Sequence, residues 1–336
     1  MDYGFLKDKR ILVTGGTGLI GYNLVHELLR QPVSKVFVTG RTLQKLQSTF
    51  ESVRADERLI LVQHNAADPI PDVVSGLDLV FHAAGPMERN IVQNYPVDVI
   101  LPNILGTIHL LELLKKEKKE SGKQGRMVIF SSVTVYNNIS DTDRSVGEEE
   151  TYHAISLDAP SACYSESKRM SEVIARSYAR QYGLDVVMAR FSTVYGYTHN
   201  IPDTAFFEFV RKAVAGETIV LNGTGLPRRD NIFIGDAISG LLTLAGKGTS
   251  GEAYNVSSGG DLDNFAAVDE IAEVIARETA SILNRPAVEV RTGGNAPRRA
   301  GLILDNAKLK ALGWKPLVSM PEGINDTVRK YLEAKK

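Results

Sequence analysis

Arg10–Gly21 reads RILVTGGTGLIG, and its two halves follow different periodicities. Arg10–Thr14 is a short apolar run rich in β-branched residues, as expected of a strand covered on both faces. Leu19–Arg30 carries its apolar residues at helical spacing. Between them, Gly15, Gly18 and Gly21 recur at every third position. Glycines so placed permit a tight turn, close approach of backbone to a diphosphate, and close packing of helix on sheet. The helix start, Gly18, Leu19, Ile20 and Gly21, then offers unpaired N–H groups and partial positive charge to an anion. A glycine-rich turn alone carries no function. Its position between a strand and a helix makes a phosphate cradle the better reading.

The alternation continues outward. Lys35–Thr39, Leu59–Gln63, Leu77–His82, Met127–Ser131 and Val186–Arg190 read as further strands. Asn103–Glu120 and Ser161–Tyr182 read as helices, with Gly122 and Gly183 as their stops. Strands alternating with helices imply an α/β fold, a Rossmann-type doubly wound parallel sheet covered on both faces. After Gly196 the rhythm loosens. A helix is expected over Pro202–Gly216, a strand at Thr218–Leu221, turns over Asn222–Arg229, and a return to the main sheet at Ile232–Ile234. A helix over Asp263–Leu283, a strand at Val288–Arg291 and a final helix complete the chain. The expected organisation is a dinucleotide-binding domain over 1–196, joined by part of 230–260, and a smaller α+β substrate lobe over 197–336. The polar segment Asn137–Pro160, with Glu148-Glu149-Glu150, reads as a solvated loop.

Composition narrows the function classes. The 336 residues are 43% apolar and 24% charged with a net charge of −1, so nothing favours bulk attraction to nucleic acid or to an anionic membrane. Cys163 is the single cysteine, so no internal disulfide forms and a reducing compartment fits. No signal peptide is visible and no stretch reads as long and apolar enough to span a bilayer, so a soluble, cytoplasmic protein is expected. The six histidines lack metal-ligand spacing, and no metal site is expected. Cys163 has no evident histidine partner and reads as a packed cysteine.

Strand two ends in Thr39-Gly40-Arg41-Thr42. Dinucleotide sites that prefer NAD place an acidic residue here for the ribose 2′-hydroxyl. Arg41 instead suits a 2′-phosphate, which favours NADP over NAD.

Tyr164 and Lys168 fall four residues apart, on one helix face. A free phenol has a pKa of about 10, too high for a base at neutral pH. A neighbouring ammonium favours the phenolate, and lowering the pKa by about three units needs roughly 4 kcal/mol of differential stabilisation. The spacing therefore gives Lys168 a use: it acidifies Tyr164. Ser131-Ser132 ends the preceding strand, at the sheet edge where ligands of such folds bind. A hydroxyl there can orient a substrate oxygen beside the tyrosine.

TGGTGLIG, His82-Ala83-Ala84-Gly85, Asn103-x-x-Gly106-Thr107, Ser131-Ser132 and Tyr164-x-x-x-Lys168 resemble, in order, the motifs of the extended short-chain dehydrogenase/reductases. Arg190–Gly196, Gly225–Asp236, Arg291–Gly294 and Leu312–Pro316 extend the resemblance to the nucleotide-sugar epimerase/dehydratase group, nearly end to end. The resemblance implies that Tyr164 is the acid/base, that Lys168 binds the nicotinamide ribose, and that Ser132 orients the reacting oxygen. It implies support from Asn103, adenine contacts from Asn65 and Ala66, and passage of Ala83, Ala84 and Gly85 behind the cofactor. Arg229 and Arg291 would clamp the diphosphate of a nucleotide-diphosphate sugar, and Thr193 replaces an asparagine that often contacts it. Relatives often dimerise through the Asn103–Glu120 helix and the helix bearing Tyr164, so a homodimer is expected.

The 4,6-dehydratases of this group carry an Asp-Glu pair after the active-site hydroxyl, and decarboxylases of UDP-glucuronate tend to carry a glutamate at the second of these positions. Here Val133 and Thr134 occupy them, closer to the pattern of UDP-galactose 4-epimerase. The leading expectation is a carbon-4 epimerase acting through a transient keto sugar. The alternatives are an NADPH-dependent reductase of an NDP-4-keto sugar, a UDP-glucuronate decarboxylase-like enzyme (Cys163-Tyr164 and Lys168-Arg169 look somewhat like that pattern), and a non-catalytic dinucleotide-sensing regulator.

Overall fold

The computed structural model describes residues 3–136, 143–150, 155–221, 228–293 and 301–335. Seven strands form one parallel sheet: β1 (Arg10–Thr14), β2 (Lys35–Gly40), β3 (Leu59–Gln63), β4 (Leu79–His82), β5 (Arg126–Ser132), β7 (Asp185–Phe191) and β11 (Ala253–Val256). Their order is β11-β7-β5-β4-β1-β2-β3, so the chain reverses its direction of build between β1 and β4. Ligands of doubly wound sheets bind outside the strand C-termini at such a reversal. The remaining strands form three small sheets. β8 (Thr193–Tyr195) and β12 (Phe265–Ala267) flank β10 (Arg228–Phe233), β9 (Ile219–Val220) pairs with β13 (Val290–Arg291), and β6 (Arg144–Val146) pairs with β14 (Leu302–Leu304).

The helices are α1 (Leu19–Leu29), α2 (Leu43–Thr49), α3 (Arg89–Asn94), α4 (Pro96–Ser121), α5 (Ala162–Tyr182), α6 (Ala205–Ala215), α7 (Ile234–Lys247), α8 (Val268–Leu283), α9 (Ala307–Lys310) and α10 (Met320–Glu333). Alternate residues of each central strand enter cores on opposite faces. Ile11, Val13, Val36, Val38, Phe81 and Val187 join Leu24, Leu28 and Leu241 of α1 and α7. Leu12, Phe37, Val80, Met127, Ile129 and Val186 join Leu110, Leu111, Leu114 and Ala175 of α4 and α5. Both faces are buried, which is why these strands read as unbroken apolar runs rather than alternating ones.

α4 and α5 run in parallel, joined by Asn103 to Ser167, Tyr178 to Glu112, and Lys118 to the Gly183 carbonyl. Each stops at a left-handed glycine, Gly122 at φ 71° and Gly183 at φ 62°. That geometry has no Cβ penalty only for glycine.

Several expectations are corrected. α4 begins at Pro96, and by length and composition it is long enough and apolar enough to cross a membrane; here it is a helix laid on the sheet and α5, with Val99, Asn103, Gly106, Leu110, Leu111 and Leu114 buried. Ile104, Leu105 and Ile108, apolar and at helical spacing, are only partly buried on its flank. Ile232 and Phe233 belong to the three-stranded sheet, and the strand that returns to the main sheet is β11. α8 starts at Val268 because Phe265–Ala267 pairs with β10.

The acidic run, expected as a solvated loop, is tethered at Glu148 and Glu150 and exposed at Glu149. The Glu148 carboxylate accepts the Asn255 N–H at 2.7 Å, Glu150 pairs with Arg144, and Asp143 holds Arg228 and the Gly301 N–H. Residues 143–150 form a strap that fastens β11 to β10 and β14. The rest of the expected loop includes 137–142 and 151–154, which lie outside the described residues, as do 222–227 of the expected turn segment.

Candidate functional site

The glycine turn is required by packing at two of its three positions. Gly15 has φ +66°, and a Cβ on it would lie 2.8 Å from Ala84 N and 2.9 Å from the Ala83 carbonyl. A Cβ on Gly21 would lie 2.5 Å from Gly15 O. Gly18 differs: it is extended and exposed, and its Cβ would meet Gly15 O at an ordinary 3.5 Å. It is the N-cap of α1 and makes no side-chain cap, so the first N–H groups of the helix, at Leu19, Ile20 and Gly21, have no side-chain acceptor from the cap. Gly16, which the sequence reading did not single out, is fixed by β2: a Cβ there would lie 2.1 Å from Val38 Cγ1. The doubled glycine was the available signal.

The neighbouring strand ends line the same edge. Arg41 follows β2 and is exposed. Asn65 follows β3, exposed, with its Oδ1 accepting the Ala67 N–H at 3.3 Å, and the Ala66 carbonyl packs against Gly106. Ala83, Ala84 and Gly85 follow β4. Thr14 Oγ1 accepts the Ala84 N–H at 3.2 Å and sits 2.8 Å from His82 Nδ1. Burial, and then the Lys168 charge, hold His82 far below the ordinary imidazole range, at about 3, so this ring is neutral. A Cβ on Gly85 would lie 2.5 Å from Asn103 Oδ1 and 3.1 Å from Lys168 Nζ. A cradle closed to side chains, with a free helix N-terminus beside it, fits a dinucleotide.

Tyr164, Lys168 and Ser132 meet at the end of β5. Ser132 is buried and accepts the Thr134 N–H at 3.2 Å. Burial raises the Tyr164 phenol above its ordinary value, against the smaller downward pull of a hydrogen bond with Ser132. The lysine does neither. Lys168 Nζ lies 5.7 Å from the Tyr164 ring centre and donates to the Phe130 carbonyl at 2.7 Å. Burial lowers the Lys168 pKa to about 8. Lys168, expected to acidify Tyr164, stands beside its ring with the ammonium on a carbonyl at the sheet edge, and Ser132 is the group that pulls the phenol down here. Asn103 is buried, and its Nδ2 donates to Ser167 Oγ at 2.9 Å. It reaches α5 on the turn between Tyr164 and Lys168, as a support. Cys163 is partly buried with Sγ 3.5 Å from the Pro160 carbonyl, a packed thiol.

Behind these groups lies a polar network that the sequence reading missed. Ser131 Oγ donates to Glu172 Oε1 at 2.6 Å, and Glu172 is paired with Arg190 at 2.7 Å. Burial raises the Glu172 carboxyl to about 7, against the downward pull of the Ser131 hydroxyl and the nearby Arg176 and Arg169 charges. Two guanidinium N–H groups of Arg190 donate into it and favour the anion. Glu172 continues the four-residue spacing of Tyr164 and Lys168, which was its only sequence signal.

The two arginines expected to clamp the diphosphate stand on separate small sheets. Arg229 is exposed on β10. Arg291 is exposed on β13 and paired with Glu289 at 2.7 Å. Thr193 is partly buried on β8, where its register partner is Asn231. Gly294 of the Arg291 motif and residues 225–227 of the Arg229 motif lie outside the described residues. Among the described residues no cluster of His, Cys, Asp and Glu could hold a metal ion.

Residues 11–257 match the family model of the NAD dependent epimerase/dehydratase family. The chain is 27% identical over 324 residues to UDP-glucuronic acid decarboxylase 6 of Arabidopsis thaliana, covering 95% of this chain and 88% of that one. It superposes on a dTDP-glucose 4,6-dehydratase of Streptomyces venezuelae solved with NAD bound, at a TM-score of 0.76 and 26% identity, covering 96% of this chain and 97% of that one. It also superposes on the UDP-glucose 4-epimerase of Thermotoga maritima solved with UDP-glucose, at a TM-score of 0.76 and 22% identity, covering 97% and 99%. That last likeness is one of fold.

Proposed function

The chain belongs to the NAD-dependent epimerase/dehydratase family, and we propose that within it this protein is a sugar-nucleotide epimerase acting at carbon 4 with tightly held NADP or NAD. The observation that carries this reading is the turn after Ser132. Val133 and Thr134 stand where the dehydratase and decarboxylase patterns place carboxylates. The Thr134 hydroxyl is shut off from solvent. The two carboxylates linked to this turn, Glu172 and Glu148, are both held by protein donors. Elimination and decarboxylation each use an acid or base beyond the tyrosine, and among the described residues of this turn, Val133–Tyr136, there is no carboxylate. Epimerisation needs only one group that takes a proton from the carbon-4 hydroxyl and returns it.

Gly15, Gly18, Gly21, Leu19 and Ile20 would hold the dinucleotide diphosphate, Arg41 a 2′-phosphate, Asn65 and Ala66 the adenine, and Lys168 the nicotinamide ribose. A bound NAD(P) would supply a reversible hydride acceptor for the sugar. Ser132 fixes the sugar oxygen, and Tyr164 takes its proton and later returns it. Arg229 and Arg291 are proposed to meet the diphosphate of the substrate, remote from the reacting carbon, where binding holds the sugar through both half-reactions. Arg41 favours one second reading: a reductase using exchangeable NADPH, whose site residues are the same.

The protein as purified is to be denatured and any released dinucleotide identified by mass. Near-stoichiometric NADP or NAD, with UDP-hexoses interconverted at carbon 4 and no net redox change, is expected. A site that exchanges NADPH freely supports the reductase. Carbon dioxide released from UDP-glucuronate overturns both. The assembly is proposed to be a homodimer through α4 and α5, where Val97, Ile100, Leu101, Met170 and Val173 are exposed along neighbouring faces.

A further inference from the structure

Tyr164, Lys168 and Glu172 lie on one face of α5, each a turn beyond the last. The Glu172 carboxylate accepts Ser131 Oγ at 2.6 Å, Arg190 Nε at 2.9 Å and Arg190 Nη2 at 2.7 Å. Arg190 is 0% exposed. Its Nη1 donates to the Tyr136 hydroxyl and to the Glu148 carbonyl, each at 3.0 Å. Tyr136 donates in turn to Asn255 Oδ1 at 2.7 Å. Ser131 directly precedes Ser132, and Tyr136 closes the 3-10 turn that starts at Val133. The stretch carrying Ser132 and Thr134 is thus pinned at both ends to one ion pair. The acid of that pair grows from the helix that carries Tyr164.

We propose that Glu172 and Arg190 are positioning residues whose ion pair fixes the Ser132 hydroxyl against the Tyr164 hydroxyl. The inference rests on the reading of Tyr164 as the acid/base. Neither residue is assigned contact with substrate. Strand β5 delivers Ser132 and helix α5 delivers Tyr164, and two elements that meet only through apolar packing can slide by fractions of an ångström. Five directed hydrogen bonds converging on one buried pair forbid that slide. Stability alone is a weak reason for such a pair, since replacing both partners by apolar residues is often neutral or stabilising. The charged neighbours are Arg169 and Arg176 on α5 and Glu148 on the strap. Lys168 faces Tyr164, and His82 faces Lys168 from β4.

The test follows the Tyr164 hydroxyl directly, by NMR titration of tyrosine labelled with carbon-13 at Cζ, in the protein with NAD+ bound and with Y164F to assign the signal. E172L/R190M removes the pair without leaving a lone buried charge; S131A removes one link and keeps the pair. E172L/R190M is expected to keep a melting temperature near that of the parent, yet raise the Tyr164 midpoint by about one pH unit or more. S131A is expected to raise it by a smaller amount. On whichever sugar nucleotide proves to be turned over, kcat is expected to fall about tenfold or more with KM little changed. Unchanged titration in the folded double variant overturns the proposal. If the double variant does not fold, S131A and Y136F decide, and an unchanged titration in both overturns it equally. The titration does not depend on which sugar reaction occurs, so failure of the epimerase reading is seen separately, in the products.

Discussion

Tyr164 depends on its neighbours for use at neutral pH, and Ser132 is the neighbour that hydrogen-bonds it. Tyr164→Phe removes the proton-transfer group while keeping the ring, so turnover should fall about 100- to 10,000-fold with dinucleotide affinity kept. Parallel loss of both would make Tyr164 a structural residue. Lys168 titrates near 8, so above that pH it loses the charge proposed to meet the ribose. Dinucleotide affinity, followed by calorimetry, should decline above about pH 8, and Lys168→Arg should move the decline upward. A flat profile to pH 9.5 in the parent (about 1.5 units past that midpoint) removes the lysine from the binding site. His82 carries a stability term of defined sign. Its folded pKa, about 3, lies below the unfolded value. Its contribution is complete above about pH 6.5 and is lost as pH falls toward 3, by at most about 4–5 kcal/mol. Urea unfolding of His82→Asn should show a shallower acid decline than the parent over that window.

At the scale of elements, the strand-turn-helix of Arg10–Leu29 was legible because a strand period gives way to a helical one at its glycines, although the partners that require Gly15 and Gly16 lie just past β4 and on β2. Gly21→Ala places a Cβ 2.5 Å from Gly15 O. It should open the turn and lower dinucleotide affinity at least tenfold in a binding titration, while distant α10 stays folded. The helix α4 was legible only in part. Its apolar spacing announced a helix, but which stripe faces inward depends on α5 and the sheet. Asn103 and Thr107, polar residues, are buried at 1% and 0%, while Ile100 and Leu101 are exposed at 37%. Asn103 is tolerated inside because its amide donates to Val99 and Ser167. If the exposed apolar faces of α4 and α5 meet a second copy, Val173→Glu should convert a dimer to a monomer in light scattering, since a buried unpaired charge is costly.

Over the whole molecule, late segments of the chain secure early ones. Asn200 Nδ2 donates to the Thr17 carbonyl in the glycine turn at 3.2 Å and to Thr49 Oγ1 at 2.8 Å. Asn23 of α1 donates to the Tyr197 carbonyl at 2.9 Å. The chain after β8 is thereby tied to the glycine turn. Trp314, 1% exposed, packs against Gly240 of α7 and donates to Ser239 Oγ at 2.9 Å. Trp314→Ala should cost about 3–5 kcal/mol in urea unfolding, from lost burial and the cavity left behind.

The parallel α/β sheet and the glycine turn were already written in the order and periodicity of the chain. Each rests on local rules: strand period, helical spacing, and the steric needs of glycine. Tertiary contacts alone turn Lys168 to the Phe130 carbonyl, set the Glu148 carboxylate on the Asn255 N–H, and join Ser131, Glu172 and Arg190. Those outcomes depend on groups 18 to 107 residues apart finding one another. The free energy of a buried polar group is set by the partner it meets, and chain spacing does not reveal that partner.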